Sequence, residues 1–284
     1  MIKFIAEVSS NHNCDLDRCF KFIDKAAEAG CYAIKFQLFK VDELFSKEVL
    51  NKSKKHRDRK NWELPPSFIP LLAERSKKKG IKFICTPFYL EGVKVLSKYV
   101  DYFKIASYEM IWDDLLKNCA RTGKPILMST GMATIFEIKH AVNILKDNGC
   151  MKPVLFHCTS SYPTPYNEAN LSAIKTIRLE TNCEVGWSDH TAEESVIQRS
   201  IHKWGASFIE FHLDIDKKGE EYKQGHCWLP NDIKKLIENV QKAIGSDGNG
   251  IKKPTPSELP DRDWRADPSD GLRPLKKIRK TWKP

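Results

Sequence analysis

Two stretches of this 284-residue chain end on histidine in a way that suggests a shared metal ion. One reads Glu184-Val-Gly-Trp-Ser188-Asp189-His190-Thr191, the other Phe208-Ile-Glu210-Phe-His212. Each is a short apolar, β-prone run closed by an imidazole with acidic or hydroxyl neighbours. If the two runs are consecutive strands of one parallel sheet, both rings leave the sheet at the same end and can share one divalent ion. Such an ion, with coordination positions left open, acts as a Lewis acid on a carbonyl or hydroxyl. Elsewhere, Lys35, Lys104, Ser107 and Ser129 are suited to hold a phosphate or carboxylate. Glu7, Glu109 and Glu210 are suited to move protons or to anchor a polyol. Residue types alone therefore point to metal-assisted carbon–carbon or carbon–oxygen chemistry on a small anionic substrate.

The elements that would position these groups follow from the hydrophobic pattern. Residues 4–8, 32–37, 82–86, 102–106, 125–129 and 154–158 are predicted strands, and the two histidine runs are the seventh and eighth. Amphipathic segments at 15–29, 67–79, 90–97, 113–121, 135–148, 171–180, 192–204 and 229–244 are the predicted helices. Gly30, Gly80, Gly123, Gly149 and Gly205 stand where C-terminal caps belong. Regular β-then-α alternation implies parallel strands with helical crossovers. Eight repeats, with no Gly-rich dinucleotide fingerprint after the first strand, favour a closed TIM-type (β/α)8 barrel over an open sheet. The expected domain is 1–250. Residues 251–284 form a Pro-, Lys- and Arg-rich tail, expected to pack on the barrel or lid it. Residues 52–60 are expected as a basic loop on the active-site face.

In such barrels chemistry sits at the C-terminal ends of the strands. Every strand but the third ends there in polar groups: Glu7, Lys35 with Gln37, Lys104 with Ser107 and Glu109, Ser129, residues 157–162, Ser188 with His190, and Glu210 with His212. Gln37 or His157 taken singly reads as an ordinary satisfied core group. The full set does not, because unpaired charge inside a barrel is costly.

Composition narrows the classes further. The net charge of +10 comes largely from residues 52–60 and 273–283, neither of which interleaves aromatics with basic residues as a nucleic-acid surface would. No apolar run approaches a membrane span. Nine cysteines without CxxC spacing suggest free thiols and a cytoplasmic protein.

The motifs resemble the sialic acid synthase family, which condenses phosphoenolpyruvate with an N-acetylated hexosamine to make nonulosonic acids. The matching stretches are Ile5-Ala-Glu7-Val8 with Asn11-His12-Asn13, Lys35-Phe-Gln37, Lys104-Ile-Ala-Ser107-Tyr-Glu109 and residues 122–132. His157-Cys-Thr-Ser160-Ser-Tyr162-Pro, Ser188-Asp-His190-Thr191 and Ile209-Glu210-Phe-His212 complete them, in the family's order. The resemblance implies that His190 and His212 bind the metal, manganese with magnesium or cobalt as alternatives. It implies that Lys35, Gln37, Lys104, Ser107, Ser129, Ser160 and Ser188 cradle phosphoenolpyruvate. Glu7, Glu109, Tyr162 and Glu210 would then contact the amino sugar and the reacting centre, with Lys104, Glu7, Glu109 and Glu210 as the catalytic set.

Departures are expected to matter. The family's Gly-Pro-Asp-His stretch after the second histidine is replaced by a longer segment, Asp216 to His226, with Gly225 where the sugar-binding aspartate would fall. Asp216, Glu220 and Glu221 are the candidate substitutes, and Ser160 stands where many members have asparagine. The match covers the barrel domain without the family's C-terminal antifreeze-like domain, so the usual argument for a homodimer is lost and a homodimer stays open. In that domain's place the tail offers Trp264, Arg265 and Arg273. Two other readings compete: condensation of phosphoenolpyruvate with a phosphorylated aldose, and a catalytically silent sugar- or phosphate-binding relative.

Overall fold

Alternation of side chains decides what each strand can build. In β1 (Lys3–Glu7) Phe4 and Ala6 face one way and Ile5 and Glu7 the other, and the seven strands that follow repeat this split. The computed structural model describes residues 2–283. In it β1 is followed by α1 (Leu16–Glu28), β2 (Ala33–Leu38), three short helices α2 (Val41–Leu44), α3 (Lys47–Lys52) and α4 (Lys54–Arg57), and then α5 (Ile69–Lys78). Next come β3 (Lys82–Pro87), α6 (Leu90–Ser97), β4 (Tyr102–Ile105), α7 (Asp113–Arg121), β5 (Ile126–Ser129), α8 (Ile135–Asp147), β6 (Val154–His157) and α9 (Ala173–Thr181). The series ends with β7 (Glu184–Asp189), α10 (Glu194–His202), β8 (Phe208–Leu213), α11 (Glu220–Gln224), β9 (Cys227–Trp228), α12 (Pro230–Ser246) and α13 (Lys276–Arg279).

All strand pairings are parallel and sequential, and β1 also pairs with β8, so the sheet closes on itself. The fold is a TIM-type (β/α)8 barrel. β9 is a two-residue addition beside the tip of β8, pairing His212 with Cys227. The five glycines expected at helix ends all have positive φ, between 70° and 108°. Asn182, left-handed at φ 54°, does the same work after α9. The basic segment is helical rather than a loop: α3, α4 and a 3-10 turn over Asp58–Trp62 cover it. No Gly or Pro interrupts 47–62, and its Lys, Arg, Glu and Leu residues are good helix formers.

Outward-facing strand residues such as Phe36, Phe103, Met128, Trp187 and Phe211 pack under the helices in the main core. Inward-facing Ile5, Ala33, Ile84, Leu127, Val154, Phe156 and Phe208 form a separate cluster that plugs the N-terminal end of the barrel. Gly186 permits this plug, since a Cβ there would stand 2.6 Å from the Phe208 carbonyl and 2.9 Å from the Phe208 Cβ. The chain divides into two units, Met1–Val240 and Gln241–Pro284. The second is organised locally: the Arg279 guanidinium donates two hydrogen bonds to Asp270 (2.6 and 2.7 Å), and Trp264 meets Trp282 edge-on.

Candidate active site

Strand register creates the site. Glu7 lies opposite Lys35 on one side and His212 on the other, and Ser188 lies opposite Glu210. Two residues up from the apolar plug, the inward positions of β1, β2, β4 and β8 are therefore charged, and those of β3, β5 and β7 carry hydroxyls. Lys35 Nζ sits 2.6 Å from Glu7 Oε2 and 3.5 Å from Glu210 Oε1. Lys104 Nζ donates to Ser129 Oγ (2.6 Å) and Glu210 Oε1 (3.2 Å), and Ser188 Oγ donates to the same carboxylate oxygen (3.2 Å). Gln37 Nε2 donates to Glu7 Oε1 at 2.6 Å. Glu7, Lys35, Lys104 and Glu210 are each 4 % exposed or less, so two cations and two anions share one nearly dry layer. Burying such a quartet costs free energy that its internal pairing only partly returns.

The two lysines are not equivalent. Burial outweighs the Glu210 carboxylate at Lys104 and lowers its pKa. At Lys35 Glu210 and Glu7 together outweigh burial and raise it. Glu210 feels burial too, but Lys104 and Lys35 overcome it and hold the carboxyl down to about 2. Its second oxygen, Oε2, is buried without an intramolecular partner.

A hydroxyl cradle lies beside this layer. The Gly131 amide donates to Ser107 Oγ (3.1 Å), which also lies 3.3 Å from Cys158 Sγ. A Cβ on Gly131 would stand 2.3 Å from Ser160 Oγ and 2.9 Å from Ser107 Oγ, so only glycine lets these groups converge. Ser160 Oγ is buried without a partner. Cys158, Ser160 and Thr130 also line a cavity of about 490 Å³. Glu109, in the loop after β4, has a buried and unpartnered Oε2, and burial raises its pKa to about 7.

The third group is aromatic and basic. Ring centroids of His190 and His212 are 5.4 Å apart, and His226 lies 5.1 Å from His212. Tyr162 covers them, 4.3 Å from His190 and 5.3 Å from His226. His190 Nδ1 donates to the Thr159 carbonyl (2.7 Å), which leaves Nε2 with its lone pair. Burial, with His212 next in size, lowers the His190 pKa to about 3, so the ring is neutral and able to ligate. His212 Nδ1 is 2.7 Å from Glu221 Oε2, and that carboxylate outweighs burial to raise the histidine's pKa. His212, Glu221, His226 and Cys227 each offer one donor atom within 4.8 Å of the others. His226 is 2 % exposed and its Nδ1 has no partner. Imidazole, carboxylate and thiol donors with an orphaned ring nitrogen suit a divalent transition metal.

Of the site residues named from the sequence, Glu7, Lys35, Gln37, Lys104, Ser129, Ser188 and Glu210 fall in the charged layer, Ser107 and Ser160 in the cradle, and Tyr162, His190, His212 and Glu221 in the aromatic group; Glu109 stands apart after β4, Asp216 is held by Arg18 and Glu220 by Lys223. His157 behaves as an ordinary core group, with Nε2 on the Ala169 carbonyl at 2.9 Å. Sequence reasoning missed Thr86. The third strand does end in a polar group there, fully buried and with Oγ1 unpartnered, and parity with Ile84 would have found it. It also missed Gly131, His226 and Cys227 as members of the site. For His226 and Cys227 no spacing rule applies, because α11 and a bend separate them from His212.

The NeuB family model matches residues 22–252. An uncharacterised protein of Methanocaldococcus jannaschii is 40 % identical over 255 residues, covering 89 % of this chain and 74 % of that protein. The N,N'-diacetyllegionaminic acid synthase of Campylobacter jejuni is 36 % identical over 272 residues, covering 89 % of this chain and 80 % of its own. The crystal structure of the N-acetylneuraminic acid synthetase of Leptospira borgpetersenii, in complex with citrate, superposes with a TM-score of 0.80 at 32 % identity, covering 95 % of this chain and 93 % of that one. Among the described residues no helix is long and apolar enough to cross a membrane.

Proposed function

The chain belongs to the NeuB family, and from that premise we propose that it condenses phosphoenolpyruvate with an N-acetylated hexosamine to form a nonulosonic acid, releasing phosphate by carbon–oxygen cleavage. The observation that supports this reading best is the dry quartet of Glu7, Lys35, Lys104 and Glu210 next to hydroxyls whose hydrogen-bonding capacity is unspent. A fold gains nothing from burying two ammonium groups at its strand tips unless an anionic substrate uses them.

In this reading Lys35, Gln37, Lys104, Ser107, Ser129, Ser160 and Ser188 hold the carboxylate and phosphate of phosphoenolpyruvate. A divalent ion at His190 and His212, manganese with magnesium or cobalt as alternatives, would supply Lewis acidity at the aldehyde oxygen of the open-chain sugar. The nucleophilic methylene forms the new carbon–carbon bond to the aldehyde carbon. Water then adds at the phosphate-bearing carbon, and phosphate leaves with the oxygen that joined it to that carbon. Lys104, with its lowered pKa and a hydrogen bond to ionised Glu210, is placed to pass a proton during the water addition. Glu109, near half-protonated at neutral pH, can donate to a sugar oxygen. Tyr162 shields the histidines from water.

The test is phosphate release from phosphoenolpyruvate with manganese over a panel of N-acetylated hexosamines and their deoxy analogues. Release with at least one acceptor, lost in Lys104→Met, is expected. No release with any acceptor, from protein that binds metal, would favour the silent sugar-binding relative.

A further inference from the structure

The segment after β8 offers three acids, and the structure separates them. Asp216 is held by Arg18 Nη1 at 2.6 Å, and Glu220 is 71 % exposed beside Lys223. Glu221 turns inward, its side chain only 16 % exposed, and meets His212 at the tip of β8. We propose that Glu221 is a positioning residue for the divalent ion: it fixes the His212 ring so that Nε2 is left for the ion that His190 shares. The inference rests on the reading above, in which His190 and His212 hold that ion.

The direction of one hydrogen bond decides this. Glu221 Oε2 lies 2.7 Å from His212 Nδ1. A carboxylate only accepts, so Nδ1 carries the hydrogen and Nε2 keeps its lone pair. His190 is set the same way by a different group, its Nδ1 donating to the Thr159 carbonyl at 2.7 Å. The two rings, 5.4 Å apart at their centroids, thus both keep Nε2 for ligation. A carbonyl fixes a tautomer without adding charge. The Glu221 carboxylate also sets a negative charge behind one of two imidazole ligands, which raises that ring's basicity toward a divalent ion.

Glu221 can hold a ring because its own place is over-determined. Ser9 Oγ donates to its Oε1 at 2.5 Å and Ser10 Oγ to the same oxygen at 3.3 Å, so each carboxylate oxygen has a partner. The loop that carries both serines is clasped to the segment after β8. Arg18 Nε donates to the Asn11 carbonyl (2.6 Å), while its guanidinium pairs with the buried Asp214 (3.3 Å) and with Asp216. Asn11 Nδ2 donates to the Leu213 carbonyl at 3.0 Å. Gly219, one residue before α11, permits the clasp, since a Cβ there would stand 2.4 Å from Asn11 Oδ1. Glu221 therefore reaches His212 from a five-residue helix that has no fully buried residue of its own.

The test is the manganese(II) affinity of the purified chain, measured by equilibrium dialysis without phosphoenolpyruvate or sugar. Glu221→Leu should weaken binding about tenfold or more. Glu221→Gln, whose amide oxygen still accepts from Nδ1 but carries no charge, should fall between the two, which separates the charge from the hydrogen bond. Glu221→Leu binding within about twofold of the parent would overturn the proposal. If that variant does not fold, the parent decides. In zinc-loaded parent labelled with ¹⁵N-histidine, long-range ¹H–¹⁵N correlation should find His212 protonated at Nδ1 and metal-bound at Nε2; metal on Nδ1 would overturn the proposal. No substrate is present in either measurement, so failure here is separable from failure of the condensation reading.

Discussion

The two ends of the barrel interior use the same strand positions for opposite purposes. At the N-terminal end Ile5, Ala33, Leu127, Phe156 and Phe208 interlock, and Lys3 lies 4.4 Å over the Phe208 ring. Two residues further along the same strands, Glu7, Lys35, Ser129, Cys158 and Glu210 form a layer of charge and hydroxyls. The first layer is what hydrophobic burial selects. The second is what burial selects against, and it survives only where other groups compensate it. In the proposed reading, chemistry sits two residues, about 7 Å along a strand, from the stabilising plug.

The sharpest way to break this contrast is to remove the charged layer. The double variant Lys104→Met/Glu210→Leu should lose at least about 10³-fold in kcat/KM for phosphate release, roughly 4 kcal/mol of barrier. Its thermal midpoint should hold or rise, since apolar replacement of a buried ion pair is often neutral or stabilising. A large fall in the midpoint, read by calorimetry, would mean the pair is structural. The mirror experiment is Phe208→Ala in the plug, expected to cost about 3–5 kcal/mol of stability in a denaturant titration. Turnover per folded molecule should change little.

Glu109 sharpens the comparison through pH. Its folded pKa, about 7, lies above the ordinary 4.5, so between these values the folded protein holds the proton more tightly than the unfolded chain. Its contribution to stability is therefore full below about pH 4.5 and is lost as pH rises through 7, by roughly 3 kcal/mol. Glu109→Gln should flatten that part of the stability–pH curve. The smallest effect belongs to the edge of the plug, where the hydroxyls of Tyr32 and Tyr102 meet at 2.7 Å. Tyr102→Phe should cost about 1 kcal/mol or less in the same titration, with no change in turnover.

Much of the charged layer was legible in the sequence because strand parity is rigid: once Ile5 faces inward, Glu7 must as well, and the same holds for Ala33 with Lys35 and Phe208 with Glu210. Helix ends were legible through glycine. The basic segment was misread because its charge suggested a loop, whereas helix propensity decided its backbone. Glu221 was visible only as one of three acids in a divergent stretch, and nothing in spacing could say that α11 and β9 return His226 and Cys227 to His212. Thr86 obeys the same parity, two residues beyond inward-facing Ile84, and was equally legible.

The central claim is carbon–oxygen cleavage of phosphoenolpyruvate coupled to capture of an amino sugar. It is tested most directly with phosphoenolpyruvate carrying ¹⁸O in the oxygen that bridges carbon and phosphorus, incubated with the metal-loaded protein and an N-acetylated hexosamine acceptor. Mass spectrometry should find the label in the released phosphate, one phosphate for each sugar consumed, and none in the new keto acid. Label in the keto acid, or phosphate released without consumption of sugar, would contradict the account.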